Sequence, residues 1–186
     1  MKSKIAGVLG VSANMETTRG VNAKKVVENE YFITCRDKDG NLKWSDLFCN
    51  EVVIVGLNDS LDKHLKGSAY TAVWYVGLMS ATPITAPSDT MASHVGWTEV
   101  TDYDEATREV LILGTVAAGS VDNTASKASF TMNASVNVGG AFIASGSGKG
   151  ETASILYGGG ALDGGNKPVD ATDVLNVTVV CSAATA

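Results

Sequence analysis

Histidine and cysteine are scarce in this chain: His64 and His94 are its imidazoles, and Cys35, Cys49 and Cys181 its thiols, among 186 residues. Two imidazoles leave a thin supply of general bases near neutral pH. No GxSxG elbow and no HExxH run gives either of them a catalytic setting. The cysteines are odd in number and lack a CxxC spacing, which argues against a disulfide framework or a zinc ribbon. They read as small buried side chains of a chain made in a reducing compartment. Charged residues are 18% of the sequence, below the ~25% of an average soluble chain, so part of the exterior is expected to lie against a partner. No segment reaches the ~18 apolar residues of a membrane-spanning helix. Ile5 to Val11, behind Lys2 and Lys4, is short, broken by glycine and read as uncleaved. Catalytic residues, metal ligands and cofactors are therefore not assigned.

What the sequence has in quantity is glycine, 20 residues, together with many Ala, Ser, Thr and Val, a composition that favours strands joined by tight turns. Its charge is uneven. Residues 1–25 hold Lys2, Lys4, Arg19, Lys24 and Lys25 against Glu16, five minus one or +4, and the remainder holds nine basic and nineteen acidic residues, or −10. An acidic body repels phosphates, so direct nucleic-acid binding is disfavoured. The chain is expected to divide into a basic N-terminal arm, 1–25, and one β domain, 26–186.

Periodicity fills in that domain. Val27, Tyr31, Ile33 and Cys35 alternate with polar neighbours, and Asp37-Lys38-Asp39-Gly40-Asn41 then supplies a reversal, so residues 42–53 should return as the partner strand. The same acidic residues lack the later Glu of a calcium loop. Leu57, Leu61 and Leu65 lie four apart, predicting a short helix over 56–67 capped by Asn58 or Asp59 and closed by Gly67. Residues 70–79 are apolar on both faces, the mark of a strand covered on both sides or facing another subunit. Further strands are predicted over 109–114, 127–137, 138–145, 153–157 and 173–182. The sum is an all-β chain, an antiparallel β-sandwich or jelly roll of about eight strands with one short helix and an extended N-terminal arm. Gly146-Ser147-Gly148-Lys149-Gly150 has the look of a phosphate loop but misses the Walker spacing at Ile143 and the hydroxyl at Gly150, so it reads as a flexible hairpin tip. Asp102, Asp104 and Glu105 read as a solvated turn.

Two dense blocks carry more than generic core. The first is Gly56-Leu57-Asn58-Asp59-Ser60-Leu61-Asp62-Lys63 with Gly67 to Leu78, and the second is Asp89-Thr90-Met91-Ala92-Ser93-His94-Val95-Gly96-Trp97-Thr98-Glu99 with Tyr103 and Ala106-Thr107-Arg108. Together they resemble a family of tailed-bacteriophage virion proteins, the capsid cement or decoration proteins that stabilise the head. The resemblance implies a non-enzymatic structural role and a place on the outer surface of the capsid after synthesis in the bacterial host cytoplasm. The implied partner is the major capsid protein, with the chain acting as a homo-oligomer, dimer or trimer, and with no membrane. A tail-fibre or baseplate β module that binds a host receptor is the alternative. Pro83 and Pro87 bracket a long connection running past Trp97, where partner contacts are expected. The candidate interface residues are Lys2, Lys4, Arg19, Lys24, Lys25, Tyr75, Met91, His94, Trp97 and Arg108. Trp97 is the candidate anchor, with a plug at one end of the sandwich as the competing role.

Overall fold

A computed structural model describes residues 25–70, 73–81 and 86–185. The chain divides into two units, 28–182 and the two ends (1–27 with 183–186), and the architecture below is that of 28–182. Lys2, Lys4, Arg19, Lys24 and Pro83 lie outside the described residues, and Lys25 is the first residue of the first strand.

The elements run β1 (Lys25–Arg36), β2 (Leu42–Cys49), β3 (Glu51–Val52), α1 (Ile54–His64), β4 (Tyr75–Met79), β5 (Glu99–Val100), β6 (Glu109–Val110), β7 (Ser120–Asp122), β8 (Ala128–Thr131), β9 (Val136–Val138), β10 (Gly140–Ala144), β11 (Leu156–Ala161), β12 (Lys167–Val169) and β13 (Val174–Thr185). The chain is all-β with a single helix among the described residues, and its strand pairs are antiparallel. One sheet has the order β2-β1-β13-β7, with β8 also on β13; a second has β3-β11-β10-β4-β5, with β6 also on β4; β9 and β12 pair separately. The strands are more numerous than the eight or so expected, and several of them are shorter. No helix among the described residues is long and apolar enough to cross a membrane.

Local chemistry makes the first hairpin. The alternation in β1 puts Tyr31, Ile33 and Cys35 at 0% exposure, and β2 pairs with it from Glu30↔Cys49 to Arg36↔Leu42. At the reversal, Asp37 Oδ1 accepts from the amides of Asp39 and Asn41, both at 2.9 Å, and Gly40 takes φ +84°. A side chain that accepts from the amide two residues on replaces a backbone turn bond, so this acidic loop is a turn. The return strand does not continue to residue 53 as expected. It ends at Cys49, and the chain crosses at Asn50 into β3 of the other sheet, pairing Val52 with Gly158.

The helix begins two residues earlier than predicted, with Val53 in extended conformation at its N-cap and no side-chain cap, so Asn58 and Asp59 lie inside it. What holds it is close approach. Gly56 sits on Tyr157 of β11, where a Cβ would come 2.4 Å from the Tyr157 carbonyl oxygen, and only a glycine lets the two backbones meet there.

The central strand is shorter than the predicted 70–79, but its two-sided burial is as expected: Val76, Gly77, Leu78 and Met79 are all buried between β10 and the β5 and β6 pairings. Gly77 lies under the Phe142 ring, where a Cβ would come 2.2 Å from Cζ. The predicted strand 127–137 breaks after Thr131, where the Asn133 amide donates to the Asp102 carbonyl and the chain restarts as β9. Strand 109–114 shrinks to Glu109–Val110. In β13, Leu175, Val177 and Val179 are fully buried as the alternation predicts.

Both main sheets contribute to one core, with Tyr31, Phe48, Phe130, Leu175 and Val177 from the first and Val76, Leu78, Val100, Ala141 and Ile143 from the second. A second cluster, Val53, Met79, Met91, Trp97, Phe142, Ala144 and Leu156, lies on the outer side of the second sheet. Residues one apart along β4 and β10 explain the split, since Leu78 and Ile143 enter the first cluster while Met79 and Phe142 enter the other.

Candidate protein interface

The long connection folds back on the sheet. Asp89 Oδ2 accepts from the Ala86 amide at 3.0 Å, the Pro87 carbonyl accepts from the Ile54 amide at 2.8 Å, and Ser80 and Thr98 pair through their backbones and hydroxyls. This brings Met91, at 3% exposure, and Trp97, at 4%, onto Phe142, with the Trp97 and Phe142 ring centroids 5.2 Å apart. Trp97 is therefore a core side chain, and the expectation of an exposed anchor is corrected for it and for Met91. A half-buried His94 stacks on the indole at 3.7 Å and forms the outer lid of the cluster. Tyr75, half-buried, opens β4 opposite Ala144 and Val110.

Arg108 is also corrected, from interface to interior. It is 0% exposed, and its guanidinium makes a two-bond fork to Glu99, Nε to Oε1 and Nη2 to Oε2, both at 2.8 Å. Nη1 donates to the Gly146 carbonyl and Nη2 to the Glu151 carbonyl, each at 2.9 Å, and the charge lies 5.2 Å from the centre of the Phe142 ring. Glu99 Oε2 also accepts from the Gly150 amide at 2.7 Å. A guanidinium is planar and carries five donors, so it satisfies several fixed carbonyls in addition to a carboxylate, which lysine does not. The glycine-rich stretch 146–150 is thus an ordered wrap around Arg108. Its Lys149 is held as well, 2.6 Å from the Tyr103 carbonyl and over the Tyr103 ring.

Three of the candidate residues, Met91, Trp97 and Arg108, point inward around Phe142, with His94 stacked on Trp97. Exposed apolar side chains form a row on α1 and its C-cap. Ile54, Leu57, Leu61 and Leu65 are turned to solvent, and Asp59 and Lys63 face the body with side chains 8% and 19% exposed and 3.8 Å apart. The four-residue spacing marked this stripe in sequence, but spacing does not say which way a stripe faces. Beside the helix lies a cleft of about 370 Å³ lined by Lys63, His64, Tyr70, Trp74, Leu113 and Val116 at the mouth, with Ile143, Tyr157 and Cys181 deeper. Neither histidine lies near a cluster of three or more His, Cys, Asp or Glu able to hold a metal ion, of which there is none among the described residues.

The cysteines differ more than expected. Cys35 is fully buried with its thiol 3.7 Å from Asp173 Oδ2, and burial, then the Asp173 charge, pushes it up to about 12. Burial pushes the half-exposed Cys181 up to about 11. Cys49 is exposed on β2, which corrects its reading as buried; residual burial and then Glu30 and Glu28 still raise its pKa. An aromatic disulfide reagent should label Cys49 rapidly in the native protein and Cys35 only on unfolding. Equal native rates for the two would contradict this packing.

No protein-family model, no curated protein and no solved structure matches this chain.

Proposed function

We propose that the chain is a non-enzymatic structural protein of a phage virion, a cement or decoration protein that sits over joints between major capsid subunits and stabilises the head. The observation that carries the binding role is the surface: Leu61, Leu65, Tyr70, Val95, Ile112 and Val116 are each more than half exposed in a chain with only 18% charged residues. The partner comes from the resemblance of the two blocks within 56–108. A jelly-roll-like wrapping belongs to the same reading and is supported by the pairing of the first strand with the last. Each copy needs only modest affinity, because an oligomer engaging several subunits gains through effective concentration.

Quantitative mass spectrometry of purified virions tests the proposal. The chain should be present at copy numbers comparable with the major capsid protein. A small fraction of that number would point to a tail component, and absence from virions would remove the structural role.

A further inference from the structure

Amphipathic helices on globular domains bury their apolar stripe and expose their charges. α1 does the reverse. Its contact with the body is made by Gly56 against Tyr157, and the same inward side carries two interactions within the helix, the Ser60 hydroxyl donating to the Gly56 carbonyl at 3.2 Å and the Asp59–Lys63 pair. Its outward face is Ile54, Leu57, Leu61 and Leu65, exposed by 50, 37, 56 and 81%. Spacings of three, four and four keep these side chains in one row along the helix. A row of this kind gains nothing from facing water, and the inward turning of the charged side shows that the body does not compete for it.

We propose that this row is the interface between two copies of the chain, packed helix to helix and antiparallel about a two-fold axis near Asp59. The row is self-complementary under that operation: Ile54 of one copy meets Leu65 of the other, and Leu57 meets Leu61. An isologous contact needs this match of a surface to its own inverse. Antiparallel packing also sets the two helix dipoles in their favourable sense. The area fits a weak, concentration-dependent contact: four leucine-sized side chains at these exposures present on the order of 400 Å² of apolar surface per copy, or about 800 Å² for two copies. The inference stands on the helix alone and does not depend on where the protein acts.

Sedimentation equilibrium of the full chain across a dilution series, on wild type and Leu57→Lys/Leu61→Lys, tests it. Both substitutions are at exposed positions and keep helix propensity, so the far-ultraviolet circular dichroism of the variant should be unchanged. Wild type should dimerise, and the variant constant should weaken by roughly a hundredfold or more. A monomeric wild type, or a variant that associates as tightly, overturns the proposal. Where the double variant misfolds, oxidative crosslinking replaces it: in a Cys49→Ser background, Leu57→Cys mixed with Leu61→Cys should form the mixed 57–61 disulfide in preference to either homodimer. Preference for 57–57 or 61–61 overturns the antiparallel geometry. Virion copy number is a separate measurement, so a failed dimer and a failed capsid assignment are told apart.

Discussion

Arg108→Met is expected to lower the stability of the isolated protein by about 3–5 kcal/mol, the usual cost of breaking a buried ion pair from one side. The substitution keeps an unbranched side chain of comparable length, so little packing is lost. What it leaves behind is the Glu99 carboxylate, 6% exposed, without its two guanidinium bonds, and the Gly146 and Glu151 carbonyls without their donor. An uncompensated buried charge is far more expensive than a missing attraction. In a domain of this size the melting temperature should fall on the order of 10 °C. Adding Glu99→Gln to Arg108→Met should recover part of the loss, because it removes the stranded charge, and the coupling from the double-mutant cycle should exceed ~1 kcal/mol. Arg108→Lys should recover little, since an ammonium cannot form the fork and reach both carbonyls. Denaturant unfolding of wild type, Arg108→Met, Glu99→Gln, the double variant and Arg108→Lys is the measurement. A loss below ~1 kcal/mol for Arg108→Met would mean that the guanidinium reaches water in solution.

Trp97→Ala should cost a similar ~3–5 kcal/mol, again in the isolated protein and with no partner present. The indole fills the space between Met79, Met91, Phe142 and the lid formed by His94. Removing it opens a cavity under a connection that has few other apolar anchors. Trp97→Phe should retain more than half of the stability. Any loss of partner binding should then follow the folded fraction. A variant that unfolds like wild type but binds poorly would return Trp97 to the surface and refute the second core.

These two residues show how far local reading reaches. Gly96-Trp97 in a long loop reads as a binding anchor because loops and tryptophans recur at interfaces. Its burial depends on Phe142 and Met79, which alternation on β10 and β4 sends to the outer side of the second sheet, and no local pattern states which segment covers this side. Arg108 reads as surface by its type. The cage that makes it interior comes from Glu99, nine residues away, and from Gly146 and Glu151, 38 and 43 residues away. The leucine row on α1 was visible as a period and its direction was not, because the helix is seated by Gly56 against the carbonyl of Tyr157, far along the chain.

The sequence by itself determined the antiparallel β class, the first hairpin and its acidic turn, the two-sided burial of the central strand and the alternation of β13. Each of these rests on the side-chain period of a strand, on the αL freedom of Gly40 or on a carboxylate that bonds amides two and four residues along the chain. Only the tertiary structure decided that the return strand changes sheets at Asn50, that a second core lies beneath the long connection, that Arg108 is interior and that α1 shows its leucines to solvent. Those outcomes depend on which groups meet across long stretches of chain, where desolvation of a charge and close backbone approach outweigh what any residue prefers alone.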